Sequence, residues 1–237
     1  MVIFQDDQII AFNKPAGLSS QGGRIAAHTL DDLLWAFAGP GKARPRLIHR
    51  LDRDTSGVIL TARTAPAAAA LGRAMMARRM KKNYLAIVTP GAPAPREGLI
   101  ETPLRRELIG ALAYVRTCAA DDPGAMAAAT RYRTLDACRS AALVELSPRT
   151  GRMHQLRVHM ASIGRPIAGD ARYGGTLVLA GAPAPRLMLH AAALGFVHPG
   201  GGPVSLFAPL ADDMARALHG LGLAVPLGRN TGQAEPL

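Results

Sequence analysis

Apolar positions along the chain switch period several times, and each switch marks an element. Ile9 to Phe12 form a short apolar run that stops at Lys14-Pro15-Ala16-Gly17, which predicts a strand and then a turn. In HTLDDLLWAFAG, Leu30, Leu33, Leu34 and Phe37 recur at helical spacing, with Gly39-Pro40 as the stop. GVILTART reads as a buried strand. The stretch APAAAALGRAMMARRMKKNYLAIV reads as a helix followed by a strand, with Leu71, Met75 and Met76 as the helix's core face. The Pro/Gly-rich TPGAPAPREG suits a boundary between two halves of one domain. Strands are expected at ATRYRTLDAC and AALVELSPRTG. In the helix that follows, Leu156, Met160 and Ile163 fall at i, i+4 and i+7, with Gly164 placed as its C-terminal cap. PRLMLHAAALGFVHP and GPVSLFAPL read as a last pair of strands, before a short helix around Met214 to Leu218. Strands come in runs with inserted helices, so the expected class is α+β and not a doubly wound sheet. The expected division is one main domain over 1–210, then a short helix and a disordered tail over 211–237.

Charge alters this picture. The chain has 237 residues with 28 Lys and Arg against 17 Asp and Glu, a net charge of +11 that points to a polyanionic partner. Aromatics make up only 4% of residues, too few for a platform that stacks several bases, so charge and shape are expected to carry nucleic-acid affinity. The cations Arg73, Arg78, Arg79, Lys81 and Lys82 lie along one helix and its exit; they are either a solvated face or an RNA-facing patch. Cys118 and Cys138 read as reduced thiols, which with no secretion signal and no apolar run of membrane length points to the cytoplasm.

Most familiar chemistries find no support. His154 and His159 are five apart, about 140° on a helix, and do not converge on one metal ion. No glycine-rich strand-to-helix loop cradles a nucleotide, and Ser56 lacks the upstream glycine of a nucleophile elbow. Two carboxylates remain, in RLIHRLDRDTSGVIL. Asp54, just before Thr55-Ser56-Gly57, reads as a turn-former. Asp52 is flanked by Arg50 and Arg53, and a guanidinium beside a carboxylate lowers its pKa by roughly 1–3 units, which keeps it anionic. Physics alone reaches an ionised Asp on a supported loop.

HRLDRDTSGVIL resembles the signature of the RluA family of RNA pseudouridine synthases, HRLDxxTSG followed by an apolar strand. NKPAGLSS resembles that family's NKPxG element, KKNYLAIV its KxYxA element, and TGRMHQLRVHMASIGRPIAGDARYG its third motif, in the same order. The likeness runs from about Val2 to Pro209. It implies a mixed, mostly antiparallel bent sheet flanked by helices around an RNA cleft. It also implies isomerisation of uridine in ribosomal or transfer RNA without metal or organic cofactor, on a nucleotide flipped out of the folded RNA. By the same likeness Asp52 is the catalytic aspartate, acting as nucleophile or along a glycal-type path, and Arg157 is the arginine that pairs with it. Tyr84 packs on the flipped base, Arg50 fills the gap the base leaves, and Arg152 and His154 lie near the RNA backbone, with His49 structural. Because NKPAG begins so soon after Met1, the compact, catalytic-domain-only branch is expected, as a monomer with no obligate protein partner. Two rivals stand beside this reading. One is a non-catalytic RNA-binding or RNA-folding protein on the same scaffold; the other is a hydrolase using Asp52 and Asp54 as an acid–base pair.

Overall fold

The computed structural model describes residues 1–22, 28–39, 43–110, 112–179 and 182–225. The tail expected to be disordered, 226–237, lies outside them. In chain order the elements are β1 (Val2–Gln5), β2 (Ile9–Lys14), α1 (Leu30–Leu33) with a 3-10 turn at Leu34–Phe37, β3 (Arg46–Leu47), β4 (Ser56–Ala62), α2 (Ala65–Met76), β5 (Lys81–Val88), β6 (Glu97–Ile100), β7 (Leu104–Ile109) and β8 (Leu112–Thr117). They continue with β9 (Thr130–Ala137), β10 (Ala142–Pro148), α3 (Gln155–Ser162), β11 (Val178–Leu179), β12 (Ala182–Pro183), β13 (Leu189–Val197), β14 (Pro203–Phe207) and α4 (Asp212–Gly220). This is the expected α+β class, with β13 and β4 paired in parallel and β1–β2, β2–β4, β3–β4, β5–β10, β9–β10, β6–β9, β7–β8, β11–β12 and β13–β14 antiparallel.

The chain divides into two compact units, the first 1–82 with 190–211 and the second 83–189 with 212–226. The division falls inside β5, not in the Pro/Gly-rich loop after it. In the first unit β2 pairs with the whole length of β4. The other edge of β4 is shared: β13 pairs in parallel at Ser56 and Gly57, and β3 pairs at Thr61 and Ala62. Every residue of β4 is buried. Its core joins Ile9, Val58, Leu60, Ala67, Leu71 and Phe196. Met76, expected on the core face of α2, is 79% exposed. The reason is angular: at about 100° per residue, Leu71 and Met75 point the same way while Met76 swings off their stripe. Met80, past the helix end, takes up a buried place instead.

The expected helix at HTLDDLLWAFAG is shorter and less regular, a single α turn and then the 3-10 turn. Thr29 and Asp32 form a capping box, with Leu30 and Leu34 fully buried and Leu33 exposed. In the second unit β5, β10, β9 and β6 form an antiparallel sheet, with the β7–β8 hairpin beside α3. Gly164, at φ 69°, ends α3 as expected: its N–H donates to the carbonyl of Ala161 and that of Arg165 to Met160. Among the described residues no helix is long and apolar enough to cross a membrane.

Candidate active site

Asp52 sits in the loop from β3 to β4, and unusual means hold that loop. Thr55 N–H donates to the Asp52 carbonyl at 3.1 Å, closing a four-residue turn. Lys14, fully buried at the end of β2, donates from Nζ to the carbonyls of Pro15, Leu18 and Arg53 at 2.7, 2.8 and 3.0 Å. Gly17 N–H reaches the same Arg53 carbonyl. Ser20 Oγ donates to the Leu51 carbonyl at 2.7 Å and accepts from Leu51 N–H at 3.0 Å. The NKPAGLSS segment is thus a clamp that holds the main chain on both sides of Asp52.

The Thr-Ser-Gly that follows seats the loop from the other end. Ser56 Oγ lies 2.9 Å from Nδ1 of buried His190. Gly57 has φ 112°, and a Cβ there would stand 2.2 Å from the carbonyl oxygen of Ala191 on the parallel neighbour β13. Only glycine lets the two backbones approach this closely. The arginines around Asp52 do not divide as expected. Arg53 Nε donates to Asp54, not Asp52, at 3.0 Å, both side chains being largely exposed, and Arg50 is exposed. Asp54 behaves as a turn residue with a neighbour's cation. His49 accepts Leu60 N–H at Nε2; desolvation, helped by the Lys82 cation, pushes its pKa down to about 3, so the ring stays neutral.

In the second unit Arg157 projects from α3, a helix fixed at its start by Gln155. The Gln155 carboxamide accepts from Thr150 Oγ1 and Arg152 N–H and donates to Ala129 O and Thr130 Oγ1. About one turn further on, His159 bridges Thr130 Oγ1 and Thr102 O, each at 2.9 Å. Arg157 is no surface arginine: its side chain is 13% exposed and forks onto Asp170, with Nε to Oδ2 at 2.7 Å and Nη2 to Oδ1 at 2.8 Å. Asp170 is fully buried at its side chain and also accepts the N–H groups of Arg172 and Tyr173. Burial alone would raise the Asp170 pKa; the Arg157 hydrogen bonds and charge, with those two N–H groups, outweigh it and hold the carboxyl below its ordinary value.

The Arg157 guanidinium lies over the Tyr173 ring, 5.0 Å from its centre. Tyr173 Oη accepts Val115 N–H at 3.2 Å and meets His154 Nδ1 at 2.8 Å, and burial holds the phenol above its ordinary pKa. His154 heads α3 in the left-handed region, at φ 52°. Arg152 is half-buried and donates from Nε to Ala127 O at 3.2 Å. Tyr84 is half-buried on β5, opposite Leu146 of β10. Asp170 and Tyr173 went unnamed in the sequence, although both stand in the quoted GDARYG; Lys14 likewise stands in plain view in NKPAG.

Residues 8–162, spanning Asp52, Tyr84 and Arg157, match the RNA pseudouridylate synthase family. The chain belongs to that family. Among relatives, it is 37% identical over 229 residues to ribosomal large subunit pseudouridine synthase D of Nitrosomonas europaea, covering 93% of this chain and 64% of that one. Ribosomal large subunit pseudouridine synthase C of Escherichia coli K12 is 37% identical over 228 residues, 93% of this chain and 70% of its own. The chain therefore spans about two thirds of the length of these family members. Among solved structures, human RNA pseudouridylate synthase domain containing 4 superposes with a TM-score of 0.81 at 27% identity, covering 95% of this chain and 94% of that one. Human RNA pseudouridylate synthase domain containing 1 gives 0.68 at 27% identity, over 88% and 82%. Among the described residues no cluster of His, Cys, Asp and Glu could hold a metal ion.

Proposed function

We propose that this chain isomerises uridine to pseudouridine in RNA, with ribosomal RNA as its substrate class and the cytoplasm as its place of action. The family match over 8–162 carries the reaction, and the names of the relatives, synthases of the ribosomal large subunit, favour ribosomal over transfer RNA. The net charge of +11 fits a polyanionic substrate.

In the reaction the bond from ribose C1′ to N1 of uracil breaks, the ring turns, and C1′ bonds to C5. The proton on C5 leaves and N1 gains one, so no atom is lost and no redox partner is needed. Asp52 is the carboxylate assigned to this work, either adding to C1′ or supporting the departing base along a glycal path. The Lys14 clamp and the Ser56–His190 contact support the assignment, since a reacting group needs a fixed backbone beneath it. Arg157 is proposed as the cation that acts with Asp52, and its fork onto Asp170 fits a guanidinium held in one orientation. Tyr84 is proposed against the flipped base, with Arg50, Arg152 and His154 on the RNA.

The test is tritium release from RNA labelled at C5 of uracil. Asp52→Asn is expected to lower release at least about a thousandfold while RNA affinity stays within about threefold, because the phosphate contacts are elsewhere. Loss of affinity in step with activity would refute that assignment of Asp52. Mapping pseudouridines in total RNA from cells with and without the gene then names the uridine.

A further inference from the structure

The stretch from Thr55 to Arg96 contains no Asp or Glu, although it holds Arg63, Arg73, Arg78, Arg79, Lys81 and Lys82. Three of these arginines gather at one place in the first unit, the end of α2. Arg73 lies in its last turn, and Arg78 and Arg79 follow the cap at Ala77. All three side chains are exposed, and among the described residues none makes an ion pair. Met76 beside them is also bare.

Two features separate this knuckle from an ordinary solvated helix face. The first is its position. β4 leaves the Asp52 loop, a two-residue link of Arg63 and Thr64 follows, and α2 packs against β4. The helix end leads into β5 at Lys81, which stands against Gly195 of β13, five residues beyond the His190 that pairs with Ser56. The knuckle therefore lies apart from the Asp52 loop, where a segment flanking the target would reach it, with Ala74 and Met75 packed on the core cluster.

The second is Arg78 itself. Its φ is 57°, and the N–H groups of Arg78 and Arg79 close the helix end onto Met75 and Ala74. Glycine is the residue that suits this place, since any side chain there costs backbone stability. Arginine at a glycine's post adds nothing to the fold that Arg73 does not already give to the helix dipole.

We infer that the Arg73–Arg78–Arg79 knuckle is a docking surface for the phosphates of a paired RNA stem, flanking the segment that holds the target uridine. The inference rests on RNA being the substrate class. A paired stem fits better than a single strand. Unpaired bases are held by stacking on aromatics, and between Thr55 and Arg96 the one aromatic is Tyr84, on β5. Duplex RNA is read through its backbone, which three guanidiniums on a rigid helix end are suited to grip.

The experiment uses the full chain and a fluorescent duplex of about 16 G·C pairs. Having no uridine, this probe reports docking whether or not the chain isomerises RNA; tritium release reports the other question separately. Arg73→Ala/Arg78→Gly/Arg79→Ala is expected to weaken binding at least about tenfold near 0.15 M salt and to reduce the log–log salt slope by about two. Arg78→Gly alone is expected to weaken binding severalfold with no fall in Tm, which keeps the readout on a folded protein. A variant with the parent's affinity and slope overturns the proposal. So does a parent that binds single-stranded oligocytidine or anionic lipid vesicles as tightly as the duplex.

Discussion

Asp170 and Lys14 show how a buried charge can serve a neighbouring side chain or the main chain. Asp170 accepts four hydrogen bonds, two of them from Arg157, at a site closed to solvent. Asp170→Asn removes the charged acceptor of that fork and is expected to cost about 3 kcal/mol in urea unfolding, with tritium release falling as well. The sign of its pH effect follows from the shift. A carboxyl held below its ordinary value in the fold contributes fully above the unfolded pKa and loses that contribution as pH falls through the folded one. Stability should therefore drop between about pH 5 and pH 2, and Asp170→Asn should flatten part of that fall. Asp54→Ala removes only an exposed partner of Arg53 and is expected to leave tritium release within about twofold, whereas an acid–base pair of Asp52 and Asp54 requires near-total loss.

The elements that carry these residues were unequally legible. Strands β2, β4, β9, β10, β13 and β14 and helices α2, α3 and α4 were each announced by period, length and flanking turns. The β7–β8 hairpin was not. It lies off the main sheet pairing, and among the described side chains of LRRELI and LAYVRT only Leu104 and Val115 are buried. Edge strand β1 was hidden for the same reason, and α1 was overread because four apolar residues at helical spacing span one α turn and one 3-10 turn equally well. Motif likeness pointed to Asp52, Tyr84 and Arg157, but not to what holds them: Asp170 is thirteen residues from Arg157, and Lys14 reaches Arg53 across thirty-nine. Such pairings follow from chain reversal, which local period does not encode. At this scale Gly57→Ala is the sharpest test. Its Cβ would strike the β13 backbone from a φ that disfavours any side chain, and a loss of about 3 kcal/mol or more is expected by chemical denaturation.

At the scale of the whole molecule the charge balance of +11 sets how the chain meets its substrate. RNA affinity should fall with a log–log salt slope of roughly −0.7 to −0.9 for each phosphate neutralised, measured by anisotropy across a salt series. Lys14→Met tests the scaffold beneath that encounter: it takes the ammonium from the carbonyls of Pro15 and Leu18, leaves that of Arg53 with Gly17 N–H, and is expected to cost about 3 kcal/mol. The same lysine has an evolutionary corollary. It grips oxygens that every amino acid carries, so the identities at 15, 18 and 53 are not what the ammonium reads. Lineages can therefore rewrite the side chains that border the aspartate, and with them the choice of RNA, while the peptide track underneath keeps its course.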